Sequence, residues 1–167
     1  MEELQRQKQT LFNKALFFLQ FRARSEHEMR EYLQKKAVEY NFNSDIVEVV
    51  ITQLIEKKFL SDKDFAEALI HSRSSLNLKG DFAIAQELRK KGVNQNIIDA
   101  GLQENTVSEY ERALEILSKK KDLLNKLAPE KRKQKVFGHL QRRGFSYDIS
   151  KRAYEACFGN TQTEYDA

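Results

Sequence analysis

Three stretches decide the reading of this chain: Leu33-Gln34-Lys35-Lys36-Ala37-Val38, Leu88-Arg89-Lys90-Lys91-Gly92-Val93 and Leu140-Gln141-Arg142-Arg143-Gly144-Phe145. Each runs leucine, polar residue, two cations, small residue, apolar residue, and the leucines stand 55 and 52 residues apart. A polar turn follows each block, and an isoleucine (Ile46, Ile97, Ile149) then starts another helix. Self-similarity at a period of roughly 50 residues marks a repeat array, whose units bury their faces against their neighbours. The first copy departs from the pattern: Ala37 replaces the glycine, and residues 39–43 lengthen its turn.

Outward from these blocks, helix punctuation divides the chain into nine segments. Ser25-x-x-Glu28 and Thr106-x-x-Glu109 have capping-box spacing, and Ser61-x-x-Asp64 is a shorter-armed version. In each, the hydroxyl accepts from an orphan amide while the acid favours the positive end of the helix. Asn43, Ser44, Asn94 and Ser146 are further N-cap candidates, and Pro129 suits a first helical position. Gly92 and Gly144 each follow two basic residues, as a C′ glycine follows a last turn. The predicted helices are 8–22, 26–37, 45–58, 62–75, 81–91, 95–104, 107–126, 130–143 and 147–157. Apolar residues recur within them at helical period: Ile46, Val50, Ile51, Leu54 and Ile55; Phe65, Ala66, Leu69 and Ile70; Ala113, Leu114, Leu117, Leu124 and Leu127. These stripes are core positions. Leu16, Phe17, Phe18, Leu19 and Phe21 run nearly all round the first helix, which predicts burial on more than one side.

Composition agrees. Among 167 residues there are one proline, six glycines and no tryptophan, with 32% charged and 40% hydrophobic residues. So few helix breakers argue against a turn-rich β-fold. The expected fold is all-α: three tandem three-helix repeats, at 1–60, 61–105 and 106–167, forming an elongated, curved array. Residues 161–167 form a short polar terminus expected to fray. A single cysteine excludes an internal disulfide framework and any four-cysteine zinc site, which fits a reducing compartment. No apolar run approaches the roughly 20 residues that span a bilayer. The polar start MEELQRQKQT does not read as a signal peptide, so a cytoplasmic location is expected.

The net charge of +4 is unevenly spread. Residues 1–60 carry ten Lys/Arg against nine Asp/Glu, and residues 61–105 six against seven. Residues 106–167 carry thirteen against nine, with all thirteen between Arg112 and Arg152. Such a concentration is the footprint expected for a polyanion or an acidic protein surface, and equally of a solvated helix face. The pairs Lys35-Lys36, Lys90-Lys91 and Arg142-Arg143 also allow two readings. Each complements the negative end of a helix dipole, and their recurrence suits a repeated contact surface. Residues 130–157 are the best helix-turn-helix candidate, although no recognition helix rich in Asn, Gln and Arg follows the turn.

Catalytic chemistry finds no foothold. His27, His71 and His139 stand at no metal-ligand spacing to one another or to Cys157, which lies in an apolar stretch as a small hydrophobe. Neither a phosphate-cradling GxxxxGK nor a GxGxxG is present, and no Ser, His and Asp constellation can be placed. The expectation is a non-enzyme with no catalytic residues, no cofactor and no metal.

Arg22-x-Arg24-Ser25-Glu26-x-Glu28 followed by Leu33, then Leu60-Ser61-Asp62-x-x-Phe65-Ala66 with Arg73, then Gly80, Glu87-Leu88, Lys91-Gly92-Val93 and Ile97, resemble the RecX family of bacterial recombination regulators. The resemblance spans about residues 10–157 and is densest over 22–102. It implies three three-helix repeats in a bacterial cytoplasmic protein that binds RecA, usually in the groove of the RecA–DNA filament. It implies restraint of RecA ATP hydrolysis, strand exchange and coprotease function, hence a place in DNA repair and the SOS response. A monomer is expected. No catalytic residue carries over, so the candidate contacts are basic. They are Arg22 and Arg24; Arg73 and Lys79; Arg89, Lys90 and Lys91; and, in the third repeat, Lys131, Arg132, Lys133, Lys135, Arg142, Arg143, Lys151 and Arg152. For Arg22 and Arg24, which flank the Ser25 cap, orienting the first two helices is an equal reading. The alternative to a RecA modulator is a stand-alone DNA-binding repeat protein acting through the basic third repeat.

Overall fold

The structure, a computed structural model, describes residues 2–159; the tail expected to fray, 161–167, lies outside the described residues. Among the described residues there are ten α-helices and no strand. They are α1 (Glu2–Leu19), α2 (Glu26–Glu39), α3 (Asp45–Glu56), α4 (Asp62–Ser75), α5 (Asp81–Lys90), α6 (Gln95–Glu104), α7 (Glu109–Ser118), α8 (Lys121–Asn125), α9 (Pro129–Arg142) and α10 (Tyr147–Phe158). The chain divides into two compact units, Met1–Ala68 with Leu88–Gly101 and Leu69–Glu87 with Leu102–Ala167. The division runs through α4, α5 and α6, so the second repeat contributes to both units.

In the first unit α1, α2 and α3 close around Leu11, Phe12, Ala15, Met29, Leu33, Val50, Ile51 and Leu54, all buried. Burying each large aliphatic side chain contributes about 1.5–3 kcal/mol. α1 starts at Glu2, six residues earlier than its apolar pattern suggests. Its opening turns are strong helix formers joined by Gln7–Glu3 and Arg6–Glu3 contacts. Its apolar run is not buried all round: Phe17 is 55% and Phe21 68% exposed, and their rings meet edge to face. Only the α1 face bearing Leu11, Phe12 and Ala15 meets the core, because a 3.6-residue period presents one stripe to a three-helix core.

The second unit centres on Leu78, Ala113, Ile116, Leu117, Leu124, Val136, Leu140, Phe145 and Ala153. The single helix expected over 107–126 is two. α7 ends at Ser118, where the Lys120 N–H turns back to the Leu117 carbonyl three residues earlier, and Lys120 leaves helical geometry at ψ 4°. That tightened turn lets Leu124 reach the core from a separate short helix. α7 also starts later than Thr106 suggests. Ser108 is its cap, paired reciprocally with Glu111, while Glu109 is engaged elsewhere.

The turns after the repeated blocks share one geometry. Gly92 (φ 76°) and Gly144 (φ 80°) occupy the left-handed region, with the Val93 N–H reaching the Leu88 carbonyl and the Phe145 N–H the Leu140 carbonyl. In the first repeat the equivalent residue is Asn41 (φ 55°), with the Phe42 N–H donating to Ala37. The alignment through Leu33 is therefore one helical turn out of register. α2 does not end in a lengthened turn; it runs to Glu39, and Ala37, not Leu33, is the counterpart of Leu88 and Leu140. Ala37 and Leu33 are both buried on one stripe four residues apart, which is why either can be matched to the block leucine. From the left-handed residue onward the copies run in parallel: Asn43, Asn94 and Ser146, two positions later, each accept an amide at the start of the next helix through their side chains, although Ser44 rather than Asn43 is the N-cap residue of α3.

Candidate partner interface

Several of the candidate cations sit where one repeat meets the N-terminus of the preceding repeat's second helix. In the first unit that helix is α2. Ser25 caps it by accepting the Glu28 N–H, and its own hydroxyl donates to the Lys91 carbonyl at 2.6 Å. The Glu26 N–H donates to Asp62, the first residue of α4, at 2.8 Å. Glu28 receives Arg22 through both guanidinium nitrogens and the Lys91 ammonium at 2.7 Å. Burial would raise this carboxyl, but the Arg22 and Lys91 hydrogen bonds outweigh it and hold Glu28 at about 2. Burial, sharpened by their mutual repulsion, pushes Glu26 up; burial pushes Asp62 up as well.

The second unit repeats the plan at α5 with other side chains. The Gly80 N–H donates to the Arg143 carbonyl at 2.9 Å, and the Asp81 N–H to Glu109, the first residue of α7, at 3.1 Å. The Arg143 guanidinium donates to the Leu78 carbonyl at 2.9 Å. Arg112, 1% exposed, donates to Asp81 and to the Lys79 and Ser108 carbonyls. Burial, then the nearby Asp81 carboxylate, raises the Glu109 carboxyl.

These contacts sort the fifteen candidate cations. Arg22 and Lys91 are tied to Glu28; Arg73 and Lys79 converge on Glu87, whose carboxyl their hydrogen bonds hold at about 2 against burial. Arg24 lays its guanidinium 3.8 Å over the Phe18 ring, which stacks on Tyr32. Arg132 is buried, hydrogen-bonded to Asn125 and lying over Phe158. Arg143 is tied to Leu78, as above. Exposed are Arg89, whose Nε donates to Gln95, and Lys90 in the first unit, and Lys131, Lys133, Lys135, Arg142, Lys151 and Arg152 in the second. Among the described residues no ion pair holds Lys90, Lys131, Lys133, Lys135 or Arg142, while Lys151 sits 4.0 Å from Glu155 and Arg152 over Tyr110.

The charge count alone missed the inward turn of Arg112 and Arg132. Their positions signal it: 112, 113, 116 and 117 share one helical face, as do 132, 136 and 140. Also unforeseen is His139, within 3.5 Å of the Lys120 ammonium. Burial, with Lys120, Arg143 and Arg142 adding, pushes this imidazole below its ordinary value. Burial pushes the Cys157 thiol up, which suits a packing role rather than a nucleophile. Among the described residues no group of three His, Cys, Asp or Glu gathers to hold a metal, and no helix is long and apolar enough to cross a membrane.

An all-helical protein of tandem three-helix domains, joined by carbonyl and carboxylate contacts at helix N-termini and bearing exposed cations beside them, is the class this geometry defines. The chain belongs to the RecX family: sequence models of the first, second and third RecX three-helix domains match residues 12–54, 61–102 and 108–154. It is 35% identical over 144 residues to the regulatory protein RecX of Streptococcus pneumoniae strains Hungary19A-6 and CGSP14, covering 86% of this chain and 54% of the relative. The chain thus spans about half the length of the curated relatives it matches. Crystal structures share its fold. That of RecX from Lactobacillus salivarius gives a TM-score of 0.78 at 23% identity, over 90% of this chain and 96% of that one. A second, of regulatory protein RecX, gives 0.74 at 24%, over 92% and 74%.

Proposed function

We propose that this chain is a cytoplasmic, monomeric regulator that binds RecA or the RecA–DNA filament, in the filament groove, and lowers RecA ATP hydrolysis, strand exchange and coprotease activity. Membership of the RecX family and the regulatory names of its relatives support the reading. The observation that carries it is the set of exposed cations on α9 and α10, led by Lys131, Lys133, Lys135 and Arg142, with no ion pair among the described residues to neutralise those four. A nucleoprotein filament offers acidic side chains and phosphates together. Many exposed cations meeting them give fast association that weakens with salt.

The same cations favour a second reading, direct DNA binding through the third repeat. One experiment separates the two: RecA ATP hydrolysis on single-stranded DNA with the chain titrated in, beside fluorescence anisotropy on the same DNA without RecA at matched salt. Suppression well below the concentration that binds bare DNA supports the regulator. Suppression only as the DNA saturates supports the DNA binder. Lys131→Glu with Lys133→Glu is the matching variant, because both side chains are exposed and outside the core. It should weaken the effect at least tenfold with helicity unchanged; an unaltered titration would remove α9 from the contact.

A further inference from the structure

Where α7, α8 and α9 approach, a cavity of about 100 Å³ opens at the surface of the second unit. Its floor is hydrocarbon: Leu117, Leu124 and Val136 are buried, while their neighbour Leu123 is 59% exposed beside them. Its rim carries Lys120, Lys135, Arg142 and His139, and no carboxylate lines it. Folding accounts for Leu124, which enters the core, but leaves Leu123 on a five-residue helix, apolar and ringed by cations. We propose that this cavity seats one branched apolar side chain, leucine or isoleucine, presented by an acidic segment of a partner protein.

Size, floor and charge each narrow the occupant. Metabolite and nucleotide pockets run to about 300–1,000 Å³, so this cavity is too small for either and suits a single side chain. The floor is aliphatic, with the His139 and Arg142 planes confined to the rim, so it fits an apolar side chain better than a base. The rim's cations attract carboxylates flanking the apolar anchor, and such complementarity raises the association rate and selects the partner. His139 agrees with this geometry: it is held toward its neutral form by burial and by Lys120, Arg143 and Arg142, so an arriving carboxylate raises its proton affinity. The inference deepens the regulatory reading by describing the partner's surface, and it rests on that reading for the partner being a protein.

The test uses the full chain with labelled leucine and valine methyl groups and two synthetic peptides, Asp-Glu-Leu-Asp-Glu and Asp-Glu-Ser-Asp-Glu. The leucine peptide should shift the Leu123, Leu124 and Val136 methyl resonances saturably, more weakly as salt rises, and should raise the His139 pKa measured by NMR titration. Replacing the peptide leucine by serine, or Leu123→Ser in the chain, should weaken binding about tenfold or more. Leu123 is exposed, so the variant keeps its fold, and far-UV circular dichroism checks this. Equal binding of both peptides, no methyl shift, or the same shift produced by an oligothymidylate would each overturn the proposal. The two readings fail separately. Suppression of RecA with an unresponsive cavity removes only the cavity proposal, whereas a responsive cavity in a chain without effect on RecA removes only the RecA reading.

Discussion

The N-termini of α2 and α5 are two solutions to one problem, and the contrast shows what a repeat junction requires. At both, a carbonyl from the residue before a left-handed glycine and a carboxylate from the first turn of another helix engage the helix start. The side chains differ. At α2, Ser25 supplies the cap and Glu28 gathers Arg22 and Lys91 in pairs that reach solvent. At α5, Gly80 stands at the cap position and the charge is turned inward on Arg112. The acceptor carbonyl and the amide-to-carboxylate bond recur, while the donor to the carbonyl changes from the Ser25 hydroxyl at α2 to the Gly80 N–H at α5. At α5 two backbones therefore meet directly, and that closest approach is where a junction should break.

Gly80→Ala carries the largest expected effect. A Cβ there falls 2.1 Å from the Gly144 carbonyl oxygen, a backbone atom that cannot swing aside. The expected cost is about 3 kcal/mol or more. Gly92→Ala meets the His27 Cβ at 2.5 Å, an atom that side-chain rotation cannot move and only a shift of α2 relieves, and it also strains a positive φ; about 2–3 kcal/mol is expected. Urea denaturation of both variants measures the order. Gly92→Ala costing more than Gly80→Ala would mean the α2 junction is the tighter one. Arg112→Met comes next, leaving the Lys79 carbonyl and Asp81 without their donor, for about 2–3 kcal/mol. A loss below 1 kcal/mol would show that water replaces the guanidinium without penalty.

How far this was legible in the sequence follows from the reach of each contact. The helix boundaries that a local cap sets were readable: α4 and α6 begin and end where the sequence places them, and Pro129 starts α9. The left-handed turns at Gly92 and Gly144 were readable for the same reason. Choices between overlapping local signals were not. Thr106-x-x-Glu109 and Ser108-x-x-Glu111 both spell a capping box, and the second prevails because Glu109 is drawn to the Asp81 and Ser146 amides. The first block slipped by one turn because two buried residues on one stripe serve equally as anchors. Among the candidate cations, charge was legible and direction was not: Arg132 and Arg143 are committed inside the fold by partners 7 and 65 residues away.

Acid sharpens the comparison with a smaller effect. Glu28 and Glu87, held at about 2, contribute stability that is complete above the ordinary value of 4.5 and lost as pH falls toward 2, up to about 3 kcal/mol each at about 1.4 kcal/mol per unit. Glu26, Asp62 and Glu109 have the opposite sign. Their raised values make the folded state bind protons more readily, so their contribution is greatest when protonated and declines as pH rises through the raised values. Stability should therefore increase slightly from neutral pH toward the carboxylate range, then fall below 4.5. Glu28→Gln should flatten the acid limb, and Glu109→Gln the gentler slope above it. Thermal melts across pH 2–8 read both, and an acid limb unchanged in Glu28→Gln would mean that its pairs add nothing to the fold.

The smallest effect belongs to the turn that is not a junction. Asn41 holds the left-handed position of the first repeat, but it is exposed, and Val38 nearby is 81% exposed. Without close backbone approach the position needs only a residue that tolerates positive φ, and asparagine does so better than other side chains. Asn41→Gly should then change stability by less than about 1 kcal/mol, and Asn41→Ala should cost about 1 kcal/mol from backbone strain alone. Against the expected loss at Gly92, that difference isolates packing from conformation, because both positions share the φ and only one has a neighbour against it. If Asn41→Ala costs as much as Gly92→Ala in the same urea series, the strain of the left-handed turn accounts for both. The close approach at the α2 junction would then contribute nothing of its own.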